Sequence, residues 1–314
     1  MSAAAYRFAP LSDVSCAALA AFIAQREASC VSCAAQLLTQ RLLVLENEPR
    51  LLCRAAENAR QLPSVAYEFA AVVSGGGREL CGVIGVSPAG LVLHCLDVPE
   101  SVERRRELAR LCAGFFSEKK LYCISGERAA SRLLEQAAAL AANAEPAEIK
   151  DFFLMQQSAA ASQAFSASQF AAPYVVRCCP EDEALLLPLE TAFEQEEVLP
   201  RGWQLNPAAV RFKLCRALHT GAVCAVLAED GEHFAAKAAV TAESGGWIQI
   251  GGVYTIPEYR GRRYAAALVR SLSARAEEIG KRAVLYVNEQ NSAAVRAYTA
   301  AGFAASGRYR ICYF

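Results

Sequence analysis

Ile248-Gln249-Ile250-Gly251-Gly252-Val253-Tyr254-Thr255-Ile256-Pro257-Glu258-Tyr259-Arg260-Gly261-Arg262-Arg263-Tyr264-Ala265-Ala266-Ala267-Leu268 is the stretch that decides the architecture. Its first half reads as a buried strand, apolar almost throughout and closed by Pro257, which has no N–H to give a sheet. Beyond Pro257 the apolar spacing changes. Ala265, Leu268, Val269, Leu272, Ala276 and Ile279 fall at the offsets of a 3.6-residue helix with one apolar face. A strand therefore turns into a helix within a few residues. Across the turn, Arg260 to Ala265, small residues admit close backbone approach, and the free N–H groups of a helix start, with arginines beside them, face an anion. That is the chemistry of a phosphate cradle. It lacks the Gly-Lys-Ser/Thr of a Walker loop and the glycine spacing of a dinucleotide fingerprint. Taken alone, these six residues fit an ordinary solvated basic helix start equally well.

The residues that follow favour the cradle. Gly280 stops the helix, 283–287 reads as a second strand, and Asn288-Glu289-Gln290-Asn291-Ser292 leads into a short helix that carries Tyr298 and is closed by Gly302. This order resembles the GNAT acetyltransferase superfamily over about residues 174–314. In that family an R/Q-x-x-G-x-G/A loop binds the pyrophosphate of acetyl-coenzyme A, and Arg260-Gly261-Arg262-Arg263-Tyr264-Ala265 is similar to it. The run Val287-Asn288-Glu289-Gln290-Asn291-Ser292-Ala293-Ala294-Val295-Arg296-Ala297-Tyr298 with Ala301-Gly302-Phe303 looks like the family's next strand and helix. One residue departs: Arg263 stands at the loop's central glycine, and its side chain must swing outward to leave room for pyrophosphate.

The resemblance implies an N-acetyltransferase that takes acetyl-coenzyme A as co-substrate and transfers the acetyl group to an amine. It implies a cofactor site of Val253, Tyr254 and Thr255, whose backbone holds the pantetheine arm as an extra strand, with Arg260, Gly261, Arg262, Arg263, Tyr264 and Ala265 at the pyrophosphate. Asn291 matches a cofactor-contacting asparagine, and capping the following helix is its other reading. Tyr298 matches the tyrosine that protonates the departing coenzyme A thiolate, a phenol of comparable basicity; a packed core tyrosine is the alternative. The family's glutamate base would fall at Gln249, which takes no proton. Gln249 is left to order a water, or the base is one of Glu194, Glu196 and Glu197, with Glu196 put forward; a solvated helix end explains those glutamates too. An acyl-coenzyme A sensor that lost its base is the competing function. The acceptor, a small amine or a protein amine, is not readable.

With 54% hydrophobic and 20% charged residues, 314 positions suffice for two cored domains. Lys plus Arg and Asp plus Glu balance at 32 each, so no global field draws the chain to nucleic acid or a membrane. Thirteen scattered cysteines suit buried thiols in a reducing cytoplasm better than a disulfide frame. Cys30-Val31-Ser32-Cys33 is the one CxxC; with no second pair and no nearby histidine it reads as a helical core pair, and no metal site is expected. Asp13 before the apolar run 14–24 argues against a signal peptide, and no apolar run nears the ~20 residues a bilayer needs. A cytoplasmic protein is expected. His219 and His233 stand outside any motif.

Along the chain, 11–60 reads as helical, 65–74, 79–87 and 91–97 as strands joined by hairpin signals, 100–119 as helix, 121–124 as strand, 129–142 as helix and 151–155 as strand. The second half repeats this order: strand 174–177, helices 183–198 and 206–218, hairpin strands 222–227 and 233–241, then the stretch quoted above. A shift of 164 lays Leu121, Tyr122, Ala129, Ala130, Arg132 and Ala137 on Leu285, Tyr286, Ala293, Ala294, Arg296 and Ala301. The same shift puts Leu96 and Asp97 where Arg260 and Gly261 stand, so the first copy lacks the phosphate loop. The expected fold is α/β: two tandem GNAT-like domains, each a central mixed β-sheet flanked by helices. Residues 1–156 form a degenerate domain, 157–172 a low-complexity linker, and 173–314 the acetyltransferase domain.

Overall fold

A polar side chain caps the start of at least one helix in each half of the chain. Ser15 accepts from the Ala18 N–H (3.2 Å) to open α1 (Cys16–Ala24), and Asn206 accepts from the Ala209 N–H (3.2 Å) to open α6 (Pro207–His219). The structure, a computed structural model, describes residues 5–40, 42, 66–77, 79–142, 145–158 and 174–314. These residues divide into two compact units.

The first unit runs through β1 (Tyr6–Ala9), α1, α2 (Val31–Thr39), β2 (Glu68–Ser74), β3 (Leu80–Val86), β4 (Leu91–Leu96), α3 (Val102–Phe116), β5 (Cys123–Glu127) and α4 (Arg128–Ala142). Strands β1 to β4 form an antiparallel meander, and β5 then joins β4 in parallel, as a strand returning from a crossover helix must. Leu108, Cys112 and Phe116 stand at four-residue intervals on α3 and bury together with Ile84, Val92 and Ile124 of the sheet. Cys30 and Cys33 are buried with Leu19, Ile23 and Leu37, so the CxxC is a helical core pair. The last residues, Gly307–Phe314, also belong to this unit. They are the end of β12 (Phe303–Tyr313), which pairs antiparallel with β5 from Tyr309↔Glu127 to Tyr313↔Cys123. The nearly buried Arg310 secures this strand with a fork onto Asp151 (2.8 and 2.8 Å) and a bond to Glu135 (3.0 Å).

The second unit contains β7 (Val175–Arg177), α5 (Glu183–Phe193), α6, β8 (Val223–Leu227), β9 (Phe234–Glu243), β10 (Trp247–Thr255), α7 (Tyr264–Glu278), β11 (Arg282–Asn288) and α8 (Ser292–Ala300). Its sheet follows the order β11-β10-β9-β8-β7, again with a parallel pair, β10 and β11, after an antiparallel meander. Leu268, Val269, Leu272 and Ala276 of α7 are buried on the sheet beside Ile248, Ile250 and Leu285, the face that the 3.6-residue spacing marks.

Both units therefore show one strand, two helices, three meandering strands, then helix, strand and helix. The 164-residue shift carries the first residue of α4, Arg128, onto the first residue of α8, Ser292. In each sheet the strand next to the fifth one comes from the other half of the chain: β12 lies beside β5, and β6 (Glu148–Gln157) beside β11.

Three local expectations change. Strand β5 starts at Cys123 rather than 121, because Tyr122 and Cys123 first turn back to bond the Gly90 carbonyl. The helix from Glu183 does not continue unchanged to 198: it widens at Glu194–Val198 into a π-turn in which the Leu199 N–H reaches the Glu194 carbonyl (2.8 Å). Residues 307–314, placed by chain order with the second domain, complete the sheet of the first unit. Of the expected linker only Gln157 and Ser158 lie within the described residues; Phe165, Phe170, Glu46 and Glu48 lie outside them.

Candidate functional site

Two events open the second unit's sheet at the quoted stretch. Gly251 pairs with Ala239 and Tyr254 with Lys237, so two residues of β10, Gly252 and Val253, oppose the single Ala238 of β9. This is a bulge, and Gly252 enables it by adopting φ +61°, a left-handed conformation that side-chain-bearing residues rarely take. The parallel register with β11 runs from Trp247↔Arg282 to Ile250↔Leu285, whereas that with β9 continues to Thr255↔Ala236. Past Ile250, β10 thus leaves β11 while remaining held on its other side. The edge of β10 past Ile250 is thereby outside the β11 ladder, an edge that an extended ligand can line.

The chain then makes a short turn at Pro257–Tyr259 and enters α7 through two left-handed residues, Gly261 (φ +81°) and Arg263 (φ +65°). Arg263 is the non-glycine residue in that region among the described residues. At this φ its backbone takes a geometry suited to glycine, at a cost of about 1 kcal/mol. A Cβ on Gly261 would meet nothing within 4 Å. What this structure shows Gly261 to supply is the left-handed conformation at φ +81°. Tyr264, Ala265 and Ala266 present first-turn N–H groups, while the Arg263 carbonyl already accepts from the Ala267 N–H (3.1 Å).

The arginines are anchored to carboxylates. Arg260 donates to Glu196 (2.9 Å) and to the Thr255 carbonyl (3.1 Å), and Arg262 donates to Glu229 (2.6 Å). Tyr254, buried, donates its hydroxyl to the other oxygen of Glu196 (2.6 Å). These bonds hold the Glu196 carboxyl below its usual range, with the Tyr254 hydrogen bond the largest cause; burial and the same carboxylate push the Tyr254 phenol up to about 12. Glu196 is therefore a committed acceptor, suited to fixing Arg260 rather than to collecting a proton. Gln249 donates to the Thr241 hydroxyl (2.9 Å). Asn291 caps α8, its side chain accepting from the Ala294 N–H (3.0 Å).

Tyr298 is buried in the unit's main core cluster, against which Val253 and Tyr264 also pack. Burial, then the nearby Glu197 charge, raises its pKa, so the phenol stays protonated. The structure thus brings Tyr298, Val253 and Tyr264 to one cluster and Tyr254, Thr255, Arg260 and Glu196 to one bonded group.

A deeper set of charges was not foreseen. Lys237, 1% exposed, donates to the Gly252 carbonyl (2.9 Å) and pairs with buried Glu190 (2.6 Å), which also faces Lys213 (3.6 Å); Lys213 bonds Glu194 as well. The signal was present: Lys237 interrupts Phe-Ala-Ala-Lys-Ala-Ala-Val and Glu190 interrupts Leu-Leu-Leu-Pro-Leu-Glu, each a single charge in an apolar run.

The first unit treats the corresponding position differently. Its β4–β5 register runs from Leu91 to Leu93, and beyond it lies a cavity of about 300 Å³ lined by Arg26, Cys30, His94, Asp97 and Glu127. Asp97, not an arginine, follows β4 and is gripped by Arg26 (2.7 and 2.8 Å). The carboxylates Asp97, Glu100 and Glu103 precede or open α3, followed by Arg104, Arg105 and Arg106, whereas Arg260, Arg262 and Arg263 precede α7.

Residues 189–303 match the family model described as the acetyltransferase (GNAT) family. Over the whole chain the fold is similar to a Drosophila protein (TM-score 0.60, 12% identity, 98% of each chain covered) and to an acetyltransferase from the GNAT family of Colwellia psychrerythraea (0.53, 13%, 98% of this chain and 99% of that one). It is also similar to a tandem GNAT protein from the clavulanic acid biosynthesis pathway (0.50, 13%, covering 98% and 97%). No curated protein matches the chain in sequence. With the family model matched at residues 189–303 and the same order of elements in both units, the chain has the tandem GNAT fold, and its second half is similar to the acetyltransferase (GNAT) family.

Proposed function

We propose that the second unit is an N-acetyltransferase that takes acetyl-coenzyme A and acetylates an amine, either of a small molecule or of a protein. The family domain and the fold support acyl transfer in general. The observation that carries the finer reading is the departure of β10 from β11 after Ile250, directly ahead of an arginine-flanked helix start. The residues fit the coenzyme: the backbone of Val253, Tyr254 and Thr255, on the side that β11 has left, suits the amides of pantetheine, with the Thr255 carbonyl also accepting from Arg260. The first-turn N–H groups of Tyr264 and Ala265, with Arg260, Gly261, Arg262 and Arg263, suit its pyrophosphate. When bound, the coenzyme supplies the activated acetyl group as a thioester.

Tyr298 is the proposed proton donor to the departing sulfur. A buried phenol with a raised pKa keeps its proton across the working pH range and gives it only to a strong base, which a thiolate leaving in a desolvated site is. Asn291 serves the site by setting the start of α8, which carries Tyr298. With Gln249 bonded to Thr241 and Glu196 committed to Tyr254 and Arg260, the acceptor amine is taken to arrive neutral, or to lose its proton through water ordered near Gln249. The same two observations favour the second reading, a coenzyme-binding sensor without turnover.

Calorimetry of the full chain with acetyl-coenzyme A tests the first step. Binding in the micromolar to millimolar range is expected, and its loss in Gly261→Val, where a β-branched residue opposes φ +81°, ties it to the loop. No binding at millimolar coenzyme overturns the reading. Release of free thiol in the presence of an amine panel separates the enzyme from the sensor.

A further inference from the structure

We infer that Lys237 is a positioning residue, whose buried ammonium holds the bulge of β10 in the open form that the coenzyme site needs. The inference rests on the acetyl-coenzyme A reading of that site and adds to it the device that keeps the site open.

A bulge leaves backbone groups out of the ladder, and a buried carbonyl without a donor is costly, by about 1–3 kcal/mol. Here the carbonyl is that of Gly252, a half-buried residue at φ +61°, and the Nζ of the fully buried Lys237 on the neighbouring strand donates to it (2.9 Å). A neutral donor would serve a single carbonyl at far smaller desolvation cost. The sequence instead buries a full charge and surrounds it: Glu190 of α5 at 2.6 Å, the ring of Phe193 with its centroid 4.7 Å away, and Lys213 on the far side of Glu190. Each of the three N–H directions of the ammonium thus has something to face: the Gly252 carbonyl on β10, and Glu190 and Phe193 on α5.

The arrangement also reaches the other half of the site. Lys213 bonds Glu194, the first residue of the π-turn, and two residues on Glu196 holds Tyr254 and Arg260. Gly252 and Arg260, the two backbone hinges of the proposed coenzyme site, are thereby fixed to the same helix, α5, through Glu190 and the turn that ends it. A cavity-filling apolar residue at 237 would pack the interior equally well but would leave Gly252 free to rejoin the ladder with β9.

The test uses the full chain with Lys237→Met and Glu190→Gln combined, because Lys237→Met alone leaves the buried Glu190 charge with the longer Lys213 contact (3.6 Å) and is expected to destabilise the unit. Two readouts are taken: hydrogen exchange of peptides spanning 251–255, and the affinity for coenzyme A. The expected result is exchange faster by roughly tenfold or more at 251–255 but not elsewhere in the unit, and coenzyme A affinity lower by roughly tenfold or more, since ångström-scale misplacement of binding groups costs that much. Unchanged exchange at 251–255 overturns the inference, as does acceleration spread evenly through the unit, the mark of a merely structural pair. If the unaltered chain fails to bind coenzyme A, the proposed function falls, and the exchange measurement alone decides whether Lys237 holds the bulge.

Discussion

The hydroxyl of Tyr254 donates to Glu196 at 2.6 Å, and the other oxygen of that carboxylate accepts from Arg260 at 2.9 Å, so one acidic side chain joins the end of β10 to the loop that opens α7. A carboxylate bonded in this way, with its pKa lowered, is a poor proton acceptor. Glu196→Gln should therefore leave kcat within about tenfold of the unaltered chain and the acid limb of the pH–rate profile in place. A general base would lose roughly 10²–10⁴-fold, and a loss of that size in steady-state assays returns Glu196 to the chemistry.

Tyr298→Phe keeps the ring in the core cluster and removes only the hydroxyl. If the phenol protonates the leaving thiolate, kcat should fall on the order of a hundredfold while coenzyme affinity holds. A purely packed tyrosine predicts a near-normal rate. Parallel turnover and calorimetry on the same variant distinguish the two.

Arg263→Gly should stabilise the second unit by about 1 kcal/mol in urea denaturation, because the residue at φ +65° gains a conformation that glycine adopts without strain. The entropy that glycine adds to the unfolded chain offsets part of this. Coenzyme affinity should stay equal or improve. A clear loss of affinity would show instead that the Arg263 side chain contacts the ligand.

His94 makes the first unit acid-sensitive. Its ring is 2% exposed, bonded through Nε2 to Ser131 (2.9 Å), and burial lowers its pKa from 6.5 to about 4. The unfolded chain thus binds a proton between about pH 6.5 and 4 that the folded unit refuses. Stability is complete above the upper value and is lost as pH falls toward the lower, by up to about 3 kcal/mol. His94→Phe, which keeps a ring over Gly126, should flatten the dependence between pH 7 and 5 measured by denaturant unfolding; an unchanged slope would assign the effect to other groups.

The strand, turn and helix of residues 248–268 were legible because each announces itself locally: an apolar run, a proline, then a change of period. The bulge at Gly252 was not, since two adjacent glycines in a strand signal irregularity without its direction. Tyr254 and Glu196 are 58 positions apart, and neither carries a local sign that the other is its partner. The π-turn escaped for a similar reason: Glu-Gln-Glu-Glu continues a helix as well as it widens one. The placement of β6 and β12 was hidden because an alternating strand reveals its own two faces but not which neighbour it joins.

That last point bears on how the molecule is made. On the ribosome the first unit's meander and helices emerge long before residues 307–314, yet β5 lacks its antiparallel neighbour until those residues arrive, and Asp151 and Glu135 await Arg310. Through synthesis of the second half, the earlier half waits with an open sheet edge, the surface most prone to pair with another nascent chain. Residues 307–314, made after the whole second unit, thus supply the strand that the first unit's β5 pairs with.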